Sequence, residues 1–173
     1  FTPRLSFKYA PDNTNVFRLS TGNGYRVVNL FTEDHAALTG ARDVVITEAL
    51  NPEQSWNCNL NYTTLIKHNS GFINIDVSSF YTYFTNKIIG DYFTDPGKII
   101  YDNLDGYAIS KGITVNTDAS FTNGLKVIAG ITLMDVYEVK KDIAGKRIKN
   151  PQLFAPSVSG TFAISYGLPK QKL

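Results

Sequence analysis

The chain has 173 residues and a formal net charge of +2, enough length for one ordinary domain and too little charge for a dense basic nucleic-acid surface. Aromatic residues make up 13%, almost all Tyr and Phe, and there is neither an amphipathic helical run nor an apolar run of about 20 residues that would cross a membrane as a helix. An all-β fold follows, with a membrane barrel still open, because barrel strands are apolar only at alternate positions.

Taken in order, Leu5, Phe7 and Tyr9 alternate with Ser6 and Lys8 and predict a first strand. Pro11 to Asn15 has the composition of a tight turn, and Val16 to Ser20 begins a second strand. Residues 21–49, with Gly22, Gly24, Asp34, His35 and Gly40, show no clean period. From Ser55 to Thr63 the alternation is strict, with Trp56, Cys58, Leu60 and Tyr62 on one face and Asn57, Asn59 and Asn61 on the other. Residues 67–71 form a turn. The chain returns from Phe72 to Lys87 with Ile73, Ile75, Val77, Tyr81 and Tyr83 against Asn74, Asp76, Ser78 and Thr82. Both strands exceed the usual five or six residues, and their aromatic residues gather toward the ends, as in the girdles of a membrane barrel.

After an irregular stretch with Gly90, Asp95, Pro96 and Gly97, a fifth strand is expected from about Ile99 to Phe121, broken near Asp105-Gly106. Thr122-Asn123-Gly124 is a hairpin signal. The sixth strand, Leu125 to Tyr137, sets Leu125, Val127, Ala129, Ile131 and Leu133 on one side. Residues 139–156 read as a charged loop with Lys140, Lys141, Asp142, Lys146 and Arg147. The seventh strand is Ser157 to Tyr166. Short and long connections alternate along this order. In an up-and-down antiparallel meander that puts the short turns at one end and the long loops at the other, the asymmetry of outer-membrane barrels.

Chemical constellations are weak. Asp34-His35 lacks a nucleophile elbow of the Gly-x-Ser-x-Gly type, and His35 and His68 have no Cys or His neighbours to build a zinc site. Asp102-Asn103-Leu104-Asp105-Gly106 has closely spaced oxygen ligands without the full calcium-loop pattern, so a turn held by Asx side chains is expected. Gly22-Asn23-Gly24 is no phosphate cradle, since no helix follows. Cys58, the single cysteine, is a small hydrophobe on its strand's apolar face. The basic residues Lys140, Lys141, Lys146, Arg147 and Lys149 form a solvated loop by default, and would reach lipopolysaccharide phosphates if that loop is extracellular. The reading is of a non-enzyme with no cofactor.

Several segments resemble the barrel of TonB-dependent outer-membrane receptors. Phe17 to Phe31, with Gly24-Tyr25-Arg26-Val27-Val28-Asn29 at its centre, resembles the family's Gly-Phe-Arg-Ala-Pro-Asn stretch, with Tyr25 in place of Phe and Val28 in place of Pro. Leu50-Asn51-Pro52-Glu53-Gln54-Ser55 is similar to its Leu-x-Pro-Glu-x-Ser. Phe80 to Ile89 resembles its aromatic strand ending in Asn-x-Ile, and Tyr101-Asp102-Asn103 with Ala108 to Ile113 its Tyr-x-Asn…Ala-x-Ser-x-Gly-Val strand.

The resemblance implies about seven long strands of a 22-stranded transmembrane barrel, residues 1–173 being a fragment of that single domain without plug domain, TonB box or terminal strands. It implies import of a scarce nutrient (a ferric siderophore, haem, cobalamin or glycan), with outer-membrane lipid around the wall and the TonB complex reached through parts outside this chain. Ligand contacts are expected from loops and wall, with Tyr25, Arg26, Asp34, His35, Tyr92 and Asp95 as candidates. An isolated fragment is expected to associate through its edge strands or to fold over on itself. The alternative is a soluble, secreted β-sandwich that binds glycan or protein, for which seven antiparallel strands are also natural.

Overall fold

The computed structural model describes residues 1–27, 42–47, 50–91, 94–141, 145–152 and 155–167. Its strands are β1 (Arg4–Tyr9), β2 (Asn15–Arg26), β3 (Asp43–Ile46), β4 (Glu53–His68), β5 (Gly71–Thr85), β6 (Ile88–Asp91), β7 (Lys98–Asn103), β8 (Gly106–Phe121), β9 (Leu125–Lys141), β10 (Arg147–Pro151) and β11 (Val158–Tyr166). The main sheet is a meander in the order β1-β2-β4-β5-β8-β9, with β10 and β11 sharing the seventh position, end to end along β9. Every pairing in it is antiparallel. The expected meander of seven long positions is therefore what forms.

The long strands are longer than the alternation indicated. β2 runs through Gly22 and Gly24 to Arg26. Those glycines mark close approaches, since a Cβ on Gly22 would lie 2.9 Å from Arg4 Cγ and one on Gly24 2.9 Å from Ser55 Oγ. The break expected near Asp105-Gly106 is there, and it is complete: β7 lies in a different sheet and β8 starts afresh at Gly106. A side chain there is impossible without movement, as a Cβ would sit 1.8 Å from the Val139 carbonyl oxygen. The stretch 139–156, expected as a charged loop, is strand at 139–141 and 147–151. β9 continues to Lys141 and β10 returns beside it, Arg147 facing Lys141. Charged residues on both faces hid the period. Between β10 and β11 the register slips, since Pro151 faces Tyr137 and Val158 faces Leu133.

The short connections, 10–14, 69–70 and 122–124, lie at one end of the main sheet, and the connections 27–52, 86–105 and 142–146 at the other. In the 10–14 turn the Asp12 carboxylate accepts from the Thr14 hydroxyl at 2.6 Å, the Asn15 side-chain amide at 2.9 Å and the backbone amides of Thr14 and Asn15 at 2.7 Å each. These bonds, the Thr14 hydroxyl foremost, hold its pKa well below the usual carboxylate range.

At the opposite end the two longest connections knit together in a second sheet, β3-β7-β6. Its β3–β7 pair is parallel, with Val44 facing Ile99 and Ile46 facing Tyr101. Both strands are the last segment before a strand that leaves this end, so side by side they run the same way. Ile88, Ile99 and Tyr101 are buried here, packed by Val44, Ile46 and Leu50, each large side chain contributing about 1.5–3 kcal/mol on burial. Asn103 joins the two connections. Its Oδ1 accepts from the Asn51 amide at 2.6 Å, while its Nδ2 donates to the carbonyls of Asn51 (2.9 Å) and Asn86 (2.8 Å). Asn86 itself sits at φ 50°, a left-handed conformation that Asn tolerates.

Two outcomes follow. Asn103→Ala removes all three bonds, each contributing about 1 kcal/mol net. It should lower hydrogen-exchange protection of β3 and β7 roughly tenfold or more while leaving β4 and β5 unchanged, and undiminished protection of β3 and β7 would contradict the clamp. For Asp12, the lowered folded pKa means that its stabilisation is full above the ordinary value of about 3.9 and is lost only as pH falls through the lower folded value. A carboxyl NMR titration should find Asp12 still ionised near pH 3, roughly one unit below that ordinary value, whereas an ordinary midpoint would remove the turn's role.

Candidate functional site

The ladder sorts side chains onto two unlike faces. Across β2, β4, β5, β8 and β9 the rows Leu19–Leu60–Ser79–Ile113–Leu133 and Phe17–Tyr62–Val77–Val115–Ile131 lie on one side. No second sheet covers that side among the described residues: Leu60, Ile113 and Leu133 are each about half exposed, and Phe162 on β11 is 69% exposed. An apolar face left open contrasts with the sandwich alternative, whose inner faces pack on one another.

Aromatic rings border this face at both ends. Toward the short turns Tyr9 stacks on Phe17 and Phe17 on Tyr62, at 6.4 and 4.6 Å between centroids. Toward the long connections Trp56 faces Tyr83, and Tyr83 stacks on Tyr107 at 5.4 Å. Along β5 the open face runs from Ile73 to Tyr83, a path of about 34 Å at roughly 3.4 Å per residue. Tilted by about 40°, it spans roughly 26 Å, close to the apolar band of a membrane barrel. Cys58 lies on the same face between Thr21 and Tyr81, and is exposed.

The opposite face is polar. On three adjacent strands Arg18 donates to Asn61 Oδ1 (3.0 Å) and Thr63 Oγ1 (3.3 Å). The Asn61 amide donates to Asp76 Oδ2 (2.7 Å) and Ser78 Oγ (2.9 Å), and the Thr63 hydroxyl to Asp76 Oδ2 (2.8 Å). The sole carboxylate of this network is thus fully engaged in cross-strand bonding. Nearer the long connections a hollow of about 600 Å³ is lined by Arg4, Ser6, Ser20, Ser55, Asn57, Asn59 and Thr82, with Phe80 and Phe84 as its apolar part. Phe80 lies over Gly112, whose added Cβ would be 2.7 Å from the ring. A wall of amides and hydroxyls with two rings offers donors, acceptors and stacking surface to a bound molecule. It offers no nucleophile–base pair, and no three His, Cys, Asp or Glu side chains converge among the described residues.

Of the residues singled out from the sequence, the three that are described, Tyr25, Arg26 and Asp95, do not converge on one site. Tyr25 is half exposed and in register with Gln54, which puts it on the apolar, aromatic-bordered face. Arg26 is on the other face, opposite Glu53, whose Oε2 accepts from the Ile88 amide at 3.2 Å. Asp95 lies in the turn before β7: its Oδ1 accepts from the Gly97 amide at 2.9 Å and its Oδ2 lies 3.4 Å from Lys98 Nζ. The Gly97 amide foremost, with Lys98, keeps its pKa below the ordinary value. Asp34, His35 and Tyr92 lie outside the described residues. In the stretch 102–106, expected as an Asx-held turn, Asp102 and Asn103 instead end strand β7, and Asp102 accepts from the adjacent Asn103 amide at 2.7 Å. Sequence reasoning saw the polar rows at 57–61 and 74–78 but not that Arg18 completes them, a link set by register 43 residues away.

No curated protein matches the chain. Among solved structures it is similar to the FrpB iron transporter from Neisseria meningitidis (F3-3 variant), with 16% identity and a TM-score of 0.62 over 79% of this chain and 20% of that one. It is also similar to a chain of the FpvAI–pyocin S2 complex, with 17% identity and a TM-score of 0.62 over 97% of this chain and 21% of that one. The chain therefore spans about a fifth of the length of either structure. The family described as TonB dependent receptor-like, β-barrel matches residues 1–171, and the chain belongs to that family of receptor barrels.

Proposed function

We propose that the chain forms part of the wall and extracellular loops of an outer-membrane receptor that binds a scarce nutrient outside a Gram-negative cell and imports it with energy delivered through TonB. The observation that carries this reading is the open apolar face, bordered by aromatic rings at both ends, on a sheet whose long connections all lie at one end. In water such a face would aggregate; in a bilayer it is the surface that lipid requires. The lipid-facing side is that of Leu60, Ile113 and Leu133, and the lumen side that of Arg18, Asn61 and Asp76.

The ligand is met by the lumen wall and by the β3-β7-β6 end, with Arg26 and Asp95 among its contacts and Tyr25 at the membrane border; Asp34, His35 and Tyr92, outside the described residues, are its further candidate contacts. A ferric siderophore, haem, cobalamin or glycan each suits a wall of amides, hydroxyls and rings. TonB engages parts of the receptor outside residues 1–173, and a plug domain fills the lumen. Isolated, the segment presents β1 and β11 as unpaired edges, through which copies associate.

The test is surface labelling of the intact parent receptor in cells, with single cysteines at Lys146 and at Asn123 on a Cys58→Ser background. An impermeant thiol reagent should label position 146 and spare position 123. Equal labelling of both, or recovery of the parent as a soluble secreted protein, would reject the receptor reading.

A further inference from the structure

The polar face has two parts whose side chains are engaged differently. Toward the short turns, Arg18, Asn61, Thr63, Asp76 and Ser78 bond one another. The next row of the ladder begins the hollow of about 600 Å³, and there the pattern reverses. The side chains of Arg4, Ser6, Ser20, Asn57, Asn59 and Thr82 line it, and none has a hydrogen-bond partner among the described residues. Register sets the shape. Arg4 on β1 is in line with Gly22, Asn57 and Thr82, and Ser6 with Ser20, Asn59 and Phe80. Gly22 and Ser20 on β2 make a low floor, with Arg4 at one side and Phe80 and Phe84 at the other. Three strand spacings of about 4.8 Å separate those sides, so the hollow is roughly 14 Å across. Its described lining contains no carboxylate.

We propose that this hollow binds a short acidic oligosaccharide, a chain of uronic acid units. The proposal rests on the receptor reading given above and names its substrate class. Amide and hydroxyl side chains both donate and accept, as sugar hydroxyls do, so Asn57, Asn59 and the serines match a polyhydroxylated ligand. The C–H face of a sugar ring lies on the electron-rich face of a phenyl ring, the role of Phe80 and Phe84. Arg4, without an ion-pair partner among the described residues, offers its forked donors to a ligand carboxylate. Haem would need an axial His, Cys, Met or Tyr, and none is in the described lining. A multiply charged anionic iron chelate would find a single cation there, and a cationic ligand no anion at all.

The experiment uses the full-length receptor, purified in detergent and titrated by calorimetry. The ligands are galacturonate, mannuronate and glucuronate trisaccharides, their carboxyl-reduced forms, a ferric hydroxamate, haemin and cyanocobalamin. At least one uronate should bind tenfold or more tightly than its reduced form. Arg4→Gln should lower uronate affinity roughly tenfold, about one charge-assisted contact, and leave the reduced form unaffected, while Arg4→Lys retains most of the preference. Phe84→Leu should weaken both forms roughly fivefold, about one ring contact. Absence of uronate binding, equal binding of the acidic and reduced forms, or a preference that Arg4→Gln leaves intact would overturn the proposal. So would a Ser20→Cys thiol, on the Cys58→Ser background, that an aqueous reagent cannot reach in the ligand-free receptor, because the receptor itself would then fill the hollow. If Phe84→Leu does not yield a heat-modifiable barrel, Arg4→Gln carries the test, since its side chain has no described hydrogen bond to lose. A parent protein that is no heat-modifiable outer-membrane barrel would sink the receptor reading and this proposal together. A folded barrel that binds the iron chelate, haemin or cobalamin and no uronate would sink only the latter.

Discussion

The backbone ladder is the constraint on which the rest depends. Because successive side chains on a strand point to opposite faces, the register of β4 against β5, with Trp56 facing Tyr83 and Ile66 facing Ile73, decides what meets the membrane. A one-residue slip of β4 would exchange its faces, placing Asn57, Asn59 and Asn61 on the open apolar side and Trp56, Leu60 and Tyr62 on the polar one. The network from Arg18 through Asn61 and Thr63 to Asp76 bonds across three strands, so it opposes such a slip from the polar side. The stacked rings of Tyr9, Phe17 and Tyr62 oppose it from the other.

The two ends of the sheet are stabilised by different means. At the short-turn end, tight connections such as the Asp12 turn leave little chain to order. At the other end the long connections must find burial of their own, and they find it in each other. The parallel β3–β7 pair and the buried Ile88, Ile99 and Tyr101 make one unit of two segments that start from different hairpins. Asn103 ties that unit back to the start of β4 and the end of β5. A displacement of either connection is therefore transmitted to the other.

Much of this was legible from alternation alone. The faces of β4, β5, β9 and β11 follow directly from Trp56-x-Cys58-x-Leu60-x-Tyr62, from Ile73 to Tyr83, from Leu125 to Leu133 and from Val158 to Tyr166. What alternation missed, it missed for physical reasons. Gly22 and Gly24 continue β2 because neighbouring side chains occupy their Cβ space, yet glycine reads as a breaker. Past Tyr137 both faces of β9 and β10 carry charge, so Lys140, Lys141 and Arg147 show no apolar period although they are strand. The β3-β7-β6 sheet joins segments about fifty residues apart, which no local pattern encodes. The network of Arg18 and the hollow between Arg4 and Phe84 depend likewise on register between distant strands.

The central claim is that one face of the meander meets lipid and the other a polar lumen. The most direct measurement is a cysteine scan of positions 73–83 on β5 in the full-length protein in a bilayer, on the Cys58→Ser background, each site carrying an environment-sensitive fluorophore and probed with lipid-borne and aqueous quenchers. The account predicts strict alternation, with lipid quenching at 73, 75, 77, 79, 81 and 83 and aqueous quenching at 74, 76, 78, 80 and 82. Quenching without a period of two, or the opposite phase, would contradict it.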